Sequence, residues 1–142
     1  MALRPNQVVT STTPPAVNVL CKTVQVARTD TAAFDAFTLP SGAVLCGVYV
    51  MGVTNSDATT TAVIHLGSNP GTTNEVLTSF SVKSTTGQGY HQAGVAAGTK
   101  IGVQVTADTL IQAKYVGVGA ETTGGPWLVK AEYYFPQSGF TF

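Results

Sequence analysis

Near its C-terminal end the chain reads Pro126-Trp-Leu-Val-Lys-Ala-Glu-Tyr-Tyr-Phe-Pro136. Trp127, Val129, Ala131, Tyr133 and Phe135 occupy every second position, with Lys130 and Glu132 between them. In a strand, alternate side chains point to opposite faces, so this stretch reads as a strand with one face in a core and one in water. The prolines at both ends bound it, because proline donates no ladder hydrogen bond.

The same period recurs upstream. Ile111, Ala113 and Tyr115 alternate with Gln112 and Lys114; Ile101, Val103 and Val105 with Lys100, Gly102 and Gln104. Val76, Thr78, Phe80 and Val82 form another set, and Ala62, Ile64 and Leu66 a fourth. Phe34 and Phe37 mark a strand over residues 32–38. Residues 17–26 are rich in β-branched residues, which favour strands. Their apolar phase shifts from Val17, Val19 and Cys21 to Val24 and Val26, which predicts a bulge near Lys22. Turn signals separate these segments: Pro40-Ser-Gly42, Asn55-Ser-Asp57, Gly67-Ser-Asn-Pro-Gly71, Ala107-Asp108 and Gly119 to Pro126. Residues 85–98, rich in Gly and Ala, read as a loop anchored by Tyr90. No window carries a long amphipathic helix. About eight short strands with regular turns predict an all-β, antiparallel β-sandwich, and that number fits a jelly-roll.

The stretch from Ala43 to Val53 breaks the half-wet rule. One phase shows Val44, Cys46, Val48 and Val50; the other shows Leu45, Tyr49, Met51 and Val53. A strand with one face in water should be polar on that face. Either a loop or another protomer is expected to cover the second phase, and the protomer is the favoured reading, since large exposed apolar patches mark interfaces.

The chain's 142 residues suit one domain. The expected division is an extended N-terminal arm over residues 1–16, a sandwich over 17–136 and a C-terminal tail over 137–142. Pro5, Pro14 and Pro15 favour an extended segment there, which reads either as a frayed terminus or as a tether along a neighbouring subunit, with Val8 and Val9 as residues for the tether to bury. Phe140 and Phe142 give the tail the same property, and Tyr134 falls on the face of its strand opposite the core.

Charged residues are only 10% of the chain, and seven Lys and Arg balance seven Asp and Glu. Nucleic-acid binding needs a basic patch, and none is present. The same absence argues against a membrane anchor. The start, Met-Ala-Leu-Arg-Pro-Asn, has no apolar core of a signal peptide, so folding in a cytoplasm is expected. In that reducing setting Cys21 and Cys46, both inside apolar runs, are expected as two buried thiols.

Catalytic patterns are missing. His65 and His91 lie in no metal-ligand spacing and read as surface histidines. There is no G-x-S-x-G elbow, residues 94–100 lack the order of a phosphate-binding loop, and no calcium-loop pattern occurs. Asp30 and Asp35 read as solvated acids, not as a glycosidase pair. No enzyme, cofactor or metal site is expected. A sugar-stacking shelf of Trp127, Tyr133, Tyr134 and Phe135 is disfavoured, because their alternation places all except Tyr134 toward the core.

The order of segments has a likeness. Leu39-Pro-Ser-Gly-Ala-Val-Leu-Cys-Gly-Val-Tyr-Val50 is followed by a Thr-rich hairpin, an apolar strand and a Gly-Ser turn. Ala107-Asp-Thr-Leu110 leads into a later strand, and Thr122-Thr-Gly-Gly-Pro-Trp-Leu-Val-Lys-Ala-Glu-Tyr133 closes the domain. Over roughly Leu39 to Pro136 this resembles the small head-decoration, or cement, proteins of tailed bacteriophages. The resemblance implies a jelly-roll that oligomerises, as a dimer or a trimer, binds the capsid exterior of the virion and staples neighbouring copies of the major capsid protein. It carries over no catalytic residue. The contact residues expected on this reading are Val8, Val9, Leu45, Tyr49, Met51, Val53, Tyr134, Phe140 and Phe142. Small jelly-rolls of phage tails and receptor-binding, glycan-binding tips are similar at this level and stand as the alternative.

Overall fold

A computed structural model describes residues 18–71, 74–83, 90–93 and 100–136. Within them lie eight strands: β1 (Leu20–Val26), β2 (Phe34–Leu39), β3 (Val44–Met51), β4 (Thr61–Gly67), β5 (Leu77–Ser81), β6 (Tyr90–Ala93), β7 (Thr109–Val118) and β8 (Trp127–Tyr134). They form two four-stranded sheets, ordered β1-β8-β3-β6 and β2-β7-β4-β5. Every pairing is antiparallel. The chain changes sheet at every connection except the β4–β5 hairpin. That is the double Greek-key wiring of a jelly-roll.

The alternation read in β8 and β7 builds the middle of the sandwich. Val129 and Ala131 are fully buried from one sheet, and Ile111 and Ala113 from the other. Ile64 and Leu66 of β4, and Val48 and Val50 of β3, complete the central layer of the same core cluster. Each Val, Ile or Leu side chain so removed from water contributes about 1.5–3 kcal/mol.

Several expectations need correction. No bulge interrupts β1: its register against β8 runs unbroken from Leu20↔Tyr133 to Val26↔Trp127. Lys22 simply takes a half-buried, core-side position, and Cys21 points outward. An inward charge on an edge strand blocks edge-to-edge pairing, which gives Lys22 a use there. The bulge lies instead in β3, between Leu45 and Gly47. It reverses the phase, so Leu45 precedes it in the core and Val48 and Val50 follow it there. Leu45 is thus 1% exposed and belongs to the interior, not to the outer face.

Both thiols are exposed, not buried. Cys46 sits at the bulge and Cys21 on the wet phase of β1. They flank Glu132 from opposite sides, since Cys21 and Gly47 both pair with it. His65 is buried at 8% exposure, and its Nδ1 accepts the Ser79 N–H at 3.2 Å. The irregularity that produces this lies in β5, where Ser79 has φ 49° opposite His65.

The expected strand at residues 101–105 is only two isolated bridges, Val44↔Gln104 and Leu45↔Ile101. Gly102 turns there at φ 78°, and its N–H donates to the Leu45 carbonyl at 2.8 Å. The strand beside β3 on the edge away from β8 is β6, paired with Val48 to Met51, in the segment read as a loop.

Candidate functional site

The outer face of the β1-β8-β3-β6 sheet carries the residues expected to make contacts. Tyr49 and Met51 stand on its β3 row and Tyr134 on its β8 row, all half-buried. Cross-strand pairing sets Tyr49 beside Lys130 and Met51 beside Leu128. Lys130 Nζ lies 3.0 Å from Glu132 Oε1 and 5.9 Å from the centre of the Tyr49 ring. An ion pair this exposed adds little stability. Its effect here is to cancel the charge of the face. The Cys46 thiol donates to the Glu132 carbonyl at 3.3 Å, and burial, with the nearby Glu132 carboxylate, pushes that thiol up from its ordinary value.

The face ends in a concavity of about 360 Å³ where β1 and β3 finish and β8 begins. Met51, Val53, Pro126 and Leu128 give it an apolar rim, Gln25 adds an amide, and Gly52 and Trp127 complete the lining. Val53 is 94% exposed. Trp127 is buried, stacked on Tyr115 with ring centres 5.3 Å apart. Its indole N–H has no hydrogen-bond partner among the described residues. A buried indole N–H normally finds one.

Two loops hold this end rigid. The chain after β3 and the chain before β8 are joined by main-chain bonds, Gly125 N to Thr54 O at 2.9 Å and Thr59 N to Ala120 O at 3.0 Å. The Asp57 carboxylate accepts the Thr122 hydroxyl at 2.6 Å and the N–H groups of Thr122 and Thr123 at 2.9 Å each. These donors, the Thr122 hydroxyl first, hold Asp57 well below the usual carboxylate range. Beneath them Glu121 Oε1 accepts from the Ser56 hydroxyl at 2.6 Å and from the Tyr115 hydroxyl. Burial, reinforced by the bond to Glu121, pushes the Tyr115 hydroxyl up to about 12. These acids are occupied as acceptors from loop and core donors, an arrangement that braces a scaffold. Among the described residues no three His, Cys, Asp or Glu side chains are grouped to hold a metal ion. No helix among them is long and apolar enough to cross a membrane.

Of the nine residues expected to make contacts, the structure brings Tyr49, Met51 and Tyr134 onto one face and Val53 to its end. Leu45 is in the core. Val8, Val9, Phe140 and Phe142 lie outside the described residues, as do the arm and tail themselves. Sequence reasoning missed Leu128, which is 41% exposed. Its signal was present: it is the apolar residue in the phase that also holds Lys130 and Glu132. It also placed Phe135 in the core, whereas Phe135 lies past the end of β8, 40% exposed and edge-on to Tyr133 at 5.9 Å.

No family model matches the chain, and no curated protein matches it. Solved structures do. One is a chain of the cyanophage Pam1 capsid asymmetric unit, 22% identical, with a TM-score of 0.62 over 87% of this chain and 89% of that one. Another belongs to the acidic stable capsid structure of Helicobacter pylori bacteriophage KHP30, 15% identical, with a TM-score of 0.59 over 84% and 89%. The chain therefore shares its fold, over nearly the full length of each partner, with chains found in two phage capsids.

Proposed function

We propose that this protein is a non-enzymatic structural protein of a phage virion, which binds the outer surface of the capsid and cements neighbouring major capsid subunits. The observation that carries this reading is the near-complete match of its jelly-roll to chains of two phage capsid structures. The low, balanced charge and the charge-cancelled outer face support burial against other subunits, because charged residues are depleted at interface cores.

The mechanism is linkage. A protein that binds only the assembled shell stabilises the shell by mass action. Many symmetric copies add modest single contacts into a strong whole. On this reading the protein acts as a homo-oligomer, dimer or trimer, is made in the host bacterial cytoplasm, and extends residues 1–16 along a neighbouring subunit. It takes no cofactor, nucleic acid or membrane as partner.

Co-sedimentation with expanded shells that lack the protein tests this. Saturable binding at a fixed number of copies per shell is expected, and deletion of residues 1–16 should abolish it while leaving the β-sheet signal intact. Unchanged binding by that deletion removes the arm from the mechanism. Absence of any shell binding removes the capsid reading and leaves a tail or glycan-binding role to be measured.

A further inference from the structure

We infer that His65 and Ser79 form an acid-sensitive latch: the neutral imidazole holds a bulge of β5 closed against β4, and its protonation opens that bulge while the rest of the sandwich stays folded. β5 is an edge strand, paired with β4 alone. Ile64 faces Phe80 and Leu66 faces Leu77, so His65 stands opposite two residues, Thr78 and Ser79. A two-against-one bulge leaves its extra residue outside the regular ladder. Here the Ser79 N–H donates to His65 Nδ1 at 3.2 Å. A side-chain nitrogen thus does at this point what a main-chain carbonyl of β4 does elsewhere. Among the described residues Ser79 is the one non-glycine with positive φ, 49°, a conformation that L-residues avoid. The bulge is therefore held against its own backbone preference by a bond that exists only while Nδ1 carries no proton.

Protonation places a hydrogen on Nδ1 and turns the acceptor into a donor. Two donors then face each other, and the Ser79 N–H loses its partner. The surroundings add to the effect. His65 is 8% exposed, and its cross-strand partner on β7 is Lys114. β5 and the rest of β4 carry no titratable side chain. The acids of the neighbouring segments are engaged elsewhere, Glu75 with Ser68 and Asp35 with Gln112. Burial first, and Lys114 second, hold the imidazole below its ordinary value of 6.5. The opening stays local because both ends of β5 are pinned. Val76 and Leu77 are fully buried before the bulge, and Val82 is buried after it. Main-chain bonds close the two ends, Val76 N to Leu66 O at 3.2 Å and Val82 N to Ala62 O at 2.9 Å. Acid releases the stretch between them. The latch does not depend on whether the protein binds a capsid shell.

Amide hydrogen exchange of the full-length protein, read as protection relative to an unfolded chain, tests the latch as pH is lowered through the histidine range. One proton is bound on opening, so protection of the Ser79 amide should fall by about tenfold per pH unit below ~6.5 and level off below the folded-state pKa of His65. Val129 and Ala131 in the core should keep their protection. His65→Asn places a carboxamide oxygen where Nδ1 stood and cannot titrate, so protection of Ser79 should become independent of pH. Lys114→Gln removes the facing charge, so at low salt the fall should level off at a higher pH; this reading stands even if His65→Asn does not fold. Protection of Ser79 that stays constant while the His65 ring titrates, followed by its NMR shifts, overturns the inference. So does a fall that persists in His65→Asn, or one whose profile Lys114→Gln leaves unmoved, since either assigns it to another group. A fall shared by Val129 and Ala131 also overturns it, because the event is then global unfolding.

Discussion

Gly52→Ala should be among the most damaging single-methyl changes in this protein, because of where the indole of Trp127 lies. A Cβ at Gly52 would fall 2.4 Å from Trp127 Cδ1 and 3.1 Å from Nε1. The ring has little room to recoil. Tyr115 is stacked on one face at an interplanar angle of 15°. The Gly125 backbone crowds the opposite edge so closely that a Cβ there would lie 2.8 Å from Cε3 and Cζ3. Overpacking in a well-filled core costs about 1–3 kcal/mol, and a ring held on two sides belongs at the upper end. Unfolding entropy of about 2.1 cal/mol/K per residue makes 1 kcal/mol worth about 3 °C in a chain of this length. The expected fall in Tm is therefore about 10 °C, with a red shift of Trp127 emission as the indole is pushed toward water. Gly102→Ala is the control. A Cβ there meets nothing within 4 Å, so only its φ of 78° resists, a backbone cost of about 1–2 kcal/mol, or about 3–6 °C, with no change in emission. A Gly52→Ala protein that melts within about 1 °C of the parent with unchanged emission would refute the reasoning.

Three further outcomes follow from the same geometry. Tyr115→Phe keeps the stack on Trp127 but removes a buried hydroxyl that donates to Glu121; a loss of about 1–2 kcal/mol is expected in urea denaturation, and a neutral result would show that the network contributes no net stability. Burial, and secondarily Lys114, lower the His65 pKa from 6.5, so its contribution is complete above that value and is lost as pH falls toward the folded-state pKa; His65→Gln should flatten the decline in urea midpoint below pH ~6.5, and an unchanged slope would exclude His65 as its source. Cys21 and Cys46 should both take a maleimide in the native dilute protein without forming an internal disulfide, because a whole strand separates them by roughly 10 Å, beyond the ~7 Å limit for a bridge; labelling of only one thiol before denaturation would contradict the exposed outer face.

The all-β class and seven of the eight strands were legible from local pattern alone. Period-two alternation in β8, β7 and β4 is imposed by the pleat, and each of these strands has one core face, so the sequence carries their orientation directly. Tertiary structure decided what that pattern could not. Residues 43–53 are apolar in both phases, so no periodicity could locate the bulge that turns Leu45 inward and Cys46 outward. Residues 101–105 alternate like a strand, yet Gly102 turns the chain there and leaves two bridges. Residues 90–93 show no alternation and still form β6, because β3 offers them a free edge and main-chain hydrogen bonds ignore side-chain identity. His65 sits on the wet phase of β4, and only the local geometry of β5 at Ser79 buries it. The concavity at Trp127 was invisible for the same reason. Gln25, Val53 and the Pro126–Leu128 segment are distant in sequence and meet only where β1, β3 and β8 converge. Alternation fixes which side a residue faces, and only the packing of the whole chain fixes what lies there.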